Sequence, residues 1–253
     1  MNNLFDLQNK NILITGATSN IGIALSKLLV SFGANLILLS RNFEKLQEIK
    51  KEINNNNVNI FRFDLSDDIK KQLSEILIDD RKIHGFVHIA GISFTKPLKL
   101  LNYKDFESIF KINVYSALEI IQVISHNKYI DEQVGSSYVL ISSIRTKKLE
   151  NLLSLYSMSK SSLNTMAKAL AIELSNKKIR VNSILPAYIE NSGMYDNIVS
   201  KFDEKKIEEL KTQHLLGFLS PNDVANSCLF LLSNLSTKIT GTNIIIDSGF
   251  SLK

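Results

Sequence analysis

Three residues in the middle of the chain have the types and spacing to move a proton. Tyr156 and Lys160 lie four positions apart in a stretch that reads as a helix. A helix turns once in about 3.6 residues, so the two share a face. An ammonium beside a phenol lowers the phenol's pKa from about 10 toward the range useful for general acid chemistry. Ser143 follows the apolar run YVLIS (Tyr138 to Ser142), and the end of that strand aims a second hydroxyl at the same oxygen. Taken alone, a Tyr-x-x-x-Lys pair is more often a half-buried tyrosine beside a solvated lysine, so its meaning depends on the elements that position it.

Those elements alternate between strand and helix periods. KNILITG (Lys10 to Gly16), ANLILLS (Ala34 to Ser40), NIFRFDL (Asn59 to Leu65) and HGFVHIAG (His84 to Gly91) are short apolar runs, as expected of strands buried on both faces. IRVNSILP (Ile179 to Pro186) and TNIIIDSG (Thr242 to Gly249) read the same way. Helices are predicted over about 21–32, 43–53, 66–78, 103–125 and 153–174, with another starting at Ser220-Pro221. About seven strands alternating with helices imply a single α/β domain over 1–253, a Rossmann-type doubly wound parallel sheet. The charged, poorly periodic segment of about 190–217 is expected to be a mobile cover over the substrate.

Between the first strand and first helix lies TGATSNIG (Thr15 to Gly22), where a parallel sheet binds a dinucleotide pyrophosphate at a helix N-terminus. Ser40-Arg41-Asn42 ends the second strand. An acidic residue there would hold the ribose 2′-hydroxyl of NAD, whereas serine followed by arginine favours the 2′-phosphate of NADP. The expectation is NADP(H) preferred, with NAD(H) usable.

With these residues placed, the chain resembles the short-chain dehydrogenase/reductase family over essentially its whole length, most closely the 3-oxoacyl-(acyl-carrier-protein) reductases. The family's TGxxxGxG matches Thr15, Gly16 and Gly22, its adenine-side Asp-Leu matches Asp64-Leu65, and its Asn-Asn-Ala-Gly matches at Ala90-Gly91. Its catalytic Asn, Ser, Tyr and Lys fall on Asn113, Ser143, Tyr156 and Lys160. The resemblance implies hydride transfer between nicotinamide and a carbonyl or secondary alcohol. Tyr156 would donate the proton, Ser143 would bond the same oxygen, Lys160 would depress the phenol and hold the nicotinamide ribose, and Asn113 would position a relay water. It also implies cofactor contacts from Ser19, Asn20 and Ile21 in the glycine loop, and from Pro186, Ile189 and Asn191 after the sixth strand.

The departures are specific. Asn20 replaces the middle glycine of the loop and is expected to survive by tolerating positive φ. His88-Ile89 replace two asparagines, and His88 reads as a hydrogen-bonded structural residue before a catalytic one. Ala187 replaces the glycine of a Pro-Gly pair, and Asn191 stands in for a threonine. After Ser143 the loop IRTKKLENL brings Arg145, Lys147 and Lys148 where small residues are usual. The substrate is therefore a small-molecule or carrier-linked carbonyl, with a 3-oxoacyl thioester and a phosphorylated or nucleotide-linked sugar both open. A non-catalytic NADP-binding regulator on the same fold is the reading from another class.

Composition narrows the remainder. With 253 residues and 44% hydrophobic content the chain can bury a large core, and no apolar run approaches the roughly 20 residues of a membrane helix. The 30 basic and 25 acidic residues are dispersed, unlike the dense basic stripe of a nucleic-acid binder. One cysteine and scattered histidines indicate neither a disulfide nor a metal site, and no secretory signal is visible; the expectation is a cytoplasmic protein. Excess apolar positions on helices 103–125 and 153–174 predict a homo-oligomer, a tetramer first and a dimer next.

Overall fold

The computed structural model describes residues 4–78, 81–190 and 203–253. Seven parallel strands form one sheet in the order β3-β2-β1-β4-β5-β6-β7. They are β1 Asn11–Thr15, β2 Asn35–Ser40, β3 Val58–Arg62, β4 Gly85–His88, β5 Ser136–Ile141, β6 Ile179–Pro186 and β7 Asn243–Ile246. The order reverses between β1 and β4, and at such a switch point the loops leaving the strands part to leave a crevice.

Helices cover both faces. Helix α1 (Asn20–Ser31), α2 (Phe43–Ile53) and the last helix, Pro221–Leu232, bury Leu25, Leu29, Leu46, Ile49 and Val224 against one face. Helix α3 (Ile69–Ile76), the pair α4 (Tyr103–Phe110) and α5 (Ser116–Ile124), and α6 (Ser154–Glu173) bury Leu73, Ile120, Leu163 and Ala167 on the other. Strands sandwiched this way show no in-out alternation: every residue of β4 and β5 is buried. Local signals set several ends. Asn54 closes α2 in the left-handed conformation with φ 47°, so the Asn54–Asn57 run is a turn. Pro221 opens the last helix, numbered α8 after α7 (Glu204–Gln213), and the Asp223 carboxylate accepts from the Ser220 N–H at 2.7 Å.

Two expectations are revised. The helix predicted over 103–125 is interrupted at Lys111–Tyr115 by a π turn, whose centre is Asn113. The strand preceding Ser143 ends at Ile141, and Ser143 instead caps a 3-10 turn, Ile144–Thr146. Of the expected cover at 190–217, the described part comprises Glu190 and residues 203–217, including α7; residues 191–202 lie outside the described residues.

Candidate active site

Ser143 and Tyr156 meet because β5 and α6 are fastened end to side. Ser142 Oγ donates to the Lys160 carbonyl at 2.9 Å, and Lys160 Nζ donates to the Ile141 carbonyl at 2.8 Å. These two bonds lock the register of α6 against the end of β5. The Ser143 hydroxyl is thereby brought near enough to Tyr156 to oppose the effect of burial on its phenol. Ser143 Oγ also accepts the Arg145 backbone N–H at 3.1 Å, which leaves its own proton free to donate. All three side chains are buried and line one cavity of about 420 Å³.

Asn113 acts as a brace. Its Oδ1 accepts from the Ile92 N–H at 2.8 Å, and its Nδ2 donates to the Ile92 carbonyl and to Ser159 Oγ, both at 3.0 Å. The amide thus ties the loop after β4 to α6, and the π turn is the distortion that brings it inward; such bulges often mark functional sites. Both N–H donors of the Asn113 side chain are thus used, and Oδ1 has one acceptor position left. Gly91 fits between: a Cβ there would lie 3.2 Å from both Asn113 Oδ1 and Lys160 Nζ.

The Lys160 ammonium donates to the Ile141 carbonyl and also lies over the Tyr156 ring, 5.8 Å from its centroid. Burial pushes the phenol above its ordinary value, opposed by the Ser143 hydrogen bond and by the Arg145 charge. Burial also brings Lys160 down to about 8. His88, level with Thr15 across the β1–β4 ladder, shares a 2.9 Å hydrogen bond between its Nδ1 and Thr15 Oγ1. Burial first, and the Lys160 charge second, lower it to about 3, so it is a neutral structural imidazole.

The switch-point end of the cavity has the form of a phosphate cradle. Gly16 turns at φ +68° with its α-carbon against Ala90, and a Cβ on Gly22 would lie 2.6 Å from the Gly16 carbonyl. No side chain fits either place, so the two glycines allow the tight turn and the close packing of the start of α1 against the segment leaving β1. Ser19 caps α1, accepting from Gly22 N–H at 3.1 Å and donating to the Gly16 carbonyl at 2.8 Å. Asn20 is the first residue of α1 and is absent from the positive-φ positions; the tolerance invoked for it is not needed, because the helix has already begun. Ser19, Asn20, Ile21, Gly91, Pro186 and Ile189 line the cavity.

At the adenine side, Ser40 Oγ bonds Thr18 Oγ1 at 2.8 Å. Burial pushes the Asp64 carboxyl up, but two hydrogen bonds from Ser66 and the charges of Arg41 and Arg62 hold it below the usual range. Arg41 is exposed and is not among the residues that line the cavity, whereas Lys45 lines it from the first turn of α2. Leu65 packs in the core beside this loop, and Asn191 lies outside the described residues. Sequence reasoning missed Lys45. The signal was its place three residues after the N-cap Asn42, where a helix start faces the end of β2.

Opposite the cradle, Arg145 and Tyr188 join Ile144, Leu153 and Ser93 in the wall. Arg145 stacks at 4.9 Å from the Tyr188 ring centroid and donates to Tyr188 Oη at 2.5 Å, while also pairing with Glu150. Tyr188 was not singled out from the sequence: only the fold brings the loop after β6 over the loop after β5.

Among known proteins, the family model described as enoyl-(acyl carrier protein) reductase matches residues 16–251. L-xylulose reductase of Caenorhabditis elegans is 31% identical over 250 residues, covering 98% of each chain. A 3-oxoacyl-(acyl-carrier-protein) reductase of Rickettsia conorii is 30% identical, covering 97% of this chain and 98% of its own. Among solved structures, a 3-ketoacyl-(acyl-carrier-protein) reductase from Brucella melitensis, complexed with NADH, superposes with a TM-score of 0.86 at 25% identity, covering 97% of this chain and all of that one. A short-chain type dehydrogenase/reductase from Mycobacterium ulcerans gives 0.88 at 25% identity, with coverage of 98% and 92%. The sheet order, the glycine cradle at its switch point and these matches agree, and the chain belongs to the short-chain dehydrogenase/reductase family of oxidoreductases.

Proposed function

We propose that this protein reduces a ketone to a secondary alcohol with NADPH, on a polar or carrier-linked substrate. The observation that carries the reading is that Ser143, Tyr156 and Lys160 line one cavity together with Ser19, Asn20 and Ile21 of the glycine loop. Bound there, the nicotinamide supplies the hydride. Tyr156 gives its proton to the carbonyl oxygen as that oxygen becomes an alkoxide, and Ser143, oriented by the Arg145 N–H, donates a hydrogen bond to the same atom. Lys160, with a depressed pKa, is suited to restore the phenolic proton and to hold the ribose; Asn113 fixes the loop beside it.

The NADP preference is supported by Arg41 and Lys45 near the end of β2, where Ser40 puts no carboxylate against a 2′-phosphate. For the substrate, a 3-oxoacyl thioester is the first reading, consistent with the carrier-protein reductases among the relatives. A sugar is the second, favoured by the polar Arg145–Tyr188–Glu150 wall and by the similarity to L-xylulose reductase. We further infer a homotetramer, or failing that a dimer, because Tyr103, Phe106, Tyr115, Met158 and Ile172 stand exposed on α4, the π turn and α6. A cytoplasmic location is consistent with the single buried, unpaired cysteine.

A panel of acetoacetyl thioesters and ketoses, followed at the nicotinamide absorbance, tests the reading. Oxidation of NADPH faster than NADH is expected. An inert thioester, on protein that binds NADPH, moves the substrate to the sugar reading. No turnover of any ketone by such protein would leave a cofactor-binding regulator.

A further inference from the structure

The wall opposite the cradle contains a charge that the proton chemistry does not use. Arg145 is only 8% exposed, yet it lines the cavity two residues beyond Ser143. Burying a guanidinium is costly unless its N–H groups find acceptors. Its Nη2 is engaged by Tyr188 Oη and Glu150, and its Nη1 donates to the Lys148 carbonyl at 3.3 Å. Nε–H and the second Nη1 N–H have no hydrogen-bond partner among the described residues, although the ring planes of Tyr188 and Phe250, at 4.9 and 5.4 Å, hold the group in place. It is a fixed donor fork with unfilled positions.

The surrounding charge selects what fills them. Among the described residues no carboxylate lines this cavity, and Glu150, the local counter-ion, lies outside the lining. The described cations in the lining are Lys45, Lys160 and Arg145; Lys45 belongs to the first turn of α2, Lys160 is bonded to the Ile141 carbonyl, and Arg145 stands in the loop that follows Ser143. The loop Ile144 to Glu150 carries Arg145, Lys147 and Lys148 against the single Glu150, so it stays positive after the internal pair is counted. A guanidinium donates and never accepts, and its fork matches the oxygens of a carboxylate or phosphate. Arg145 and Tyr156 line the same cavity, so one small molecule can present its carbonyl to the phenol and an anionic group to the guanidinium.

We propose that Arg145 is a specificity-determining residue that receives an oxyanion of the substrate, a carboxylate or a phosphate ester carried near the ketone. This rests on the ketone-reductase reading and narrows it to anionic oxo compounds. Tyr188 and Glu150 are positioning residues: they hold the guanidinium flat against the wall so that its free edge meets the ligand.

The test compares paired substrates on the NADPH-loaded protein: acetoacetate with methyl acetoacetate, and dihydroxyacetone phosphate with dihydroxyacetone. The carboxylate pair and the phosphate pair separate the two oxyanion sources. For the matching source, kcat/KM should favour the charged member by about tenfold or more, the scale of a charge-assisted hydrogen bond. Arg145→Gln should bring that ratio near unity through KM, and Arg145→Lys should restore part of it. The double variant Arg145→Gln/Glu150→Gln, which leaves no unpaired buried charge, guards against misfolding and should behave as the single one. Equal use of charged and neutral ketones, or an equal loss of both in Arg145→Gln, overturns the inference while the reductase reading stands. Calorimetric titration of malonate and of glycerol phosphate into the same protein gives a readout without turnover. Binding abolished by Arg145→Gln in a protein that reduces no ketone would keep the anion site and reject the reductase reading. Failure of both oxyanions to bind overturns the inference.

Discussion

Replacing Lys160 by methionine should make the protein more stable while destroying its activity. The Lys160 side chain is buried with one hydrogen bond, to the Ile141 carbonyl, and burial lowers its pKa from 10.5 to about 8. Each unit is worth about 1.36 kcal/mol, so holding the ammonium folded costs on the order of 3 kcal/mol where both folded and unfolded chains are protonated. Methionine has a similar length and no charge; it removes this cost but leaves the Ile141 carbonyl without its donor, a loss of about 1 kcal/mol. The net gain at about pH 7 is roughly 2 kcal/mol. The sign of the pH dependence follows from the depressed value. Below about 8 the penalty is complete; from there to 10.5 the folded state sheds its proton before the unfolded state, so the unmodified protein gains stability with rising pH. Urea denaturation of both proteins across that interval isolates the group, because other titrations cancel in the difference. The advantage of Lys160→Met should shrink through the window. A variant less stable than the parent at neutral pH, or a difference that ignores pH, would refute the reasoning.

Three further outcomes are expected. Gly22→Ala should unfold at markedly lower denaturant and lose cofactor binding, since its Cβ would lie 2.6 Å from the Gly16 carbonyl and only backbone movement relieves that contact; calorimetry with NADPH reads both effects. Lys45→Ala and Arg41→Ala should each weaken NADPH binding with little change for NADH, and together should remove the preference, as measured by cofactor Kd. Ser143→Ala should lower kcat by about 10²-fold with an unchanged fold, the usual loss of one oxyanion donor; a loss under about threefold would remove Ser143 from the reaction.

Much of this was legible in the sequence because parallel strands buried on both faces advertise themselves as apolar runs, and punctuation such as Gly16, Asn54 and Ser220-Pro221 is local chemistry. The candidate proton-handling residues were legible because Tyr156 and Lys160 share one helix turn and Ser143 follows closely on the adjoining strand. What escaped depends on contacts between distant segments. The π turn at Asn113 is stabilised by bonds to Ile92 and Ser159, which no local propensity reports. The Lys160 ammonium lies over the Tyr156 ring, as their shared helix face implies, but its hydrogen bond to the Ile141 carbonyl depends on the neighbouring strand. Tyr188 reaches Arg145 across 43 positions of sequence, and Lys45 faces the cavity only because α2 starts beside the end of β2.

The proton assignment is tested most directly by Tyr156→Phe, which deletes one hydroxyl from a buried ring and leaves the packing against Ile109, Leu153 and Leu155 intact. Single-turnover oxidation of NADPH by a ketone that the unmodified protein reduces, with NADPH affinity measured alongside, separates chemistry from binding. The account predicts that the rate collapses by at least about 10³-fold while NADPH binds as before. A variant that keeps most of its rate would contradict it, because the proton would then come from another group.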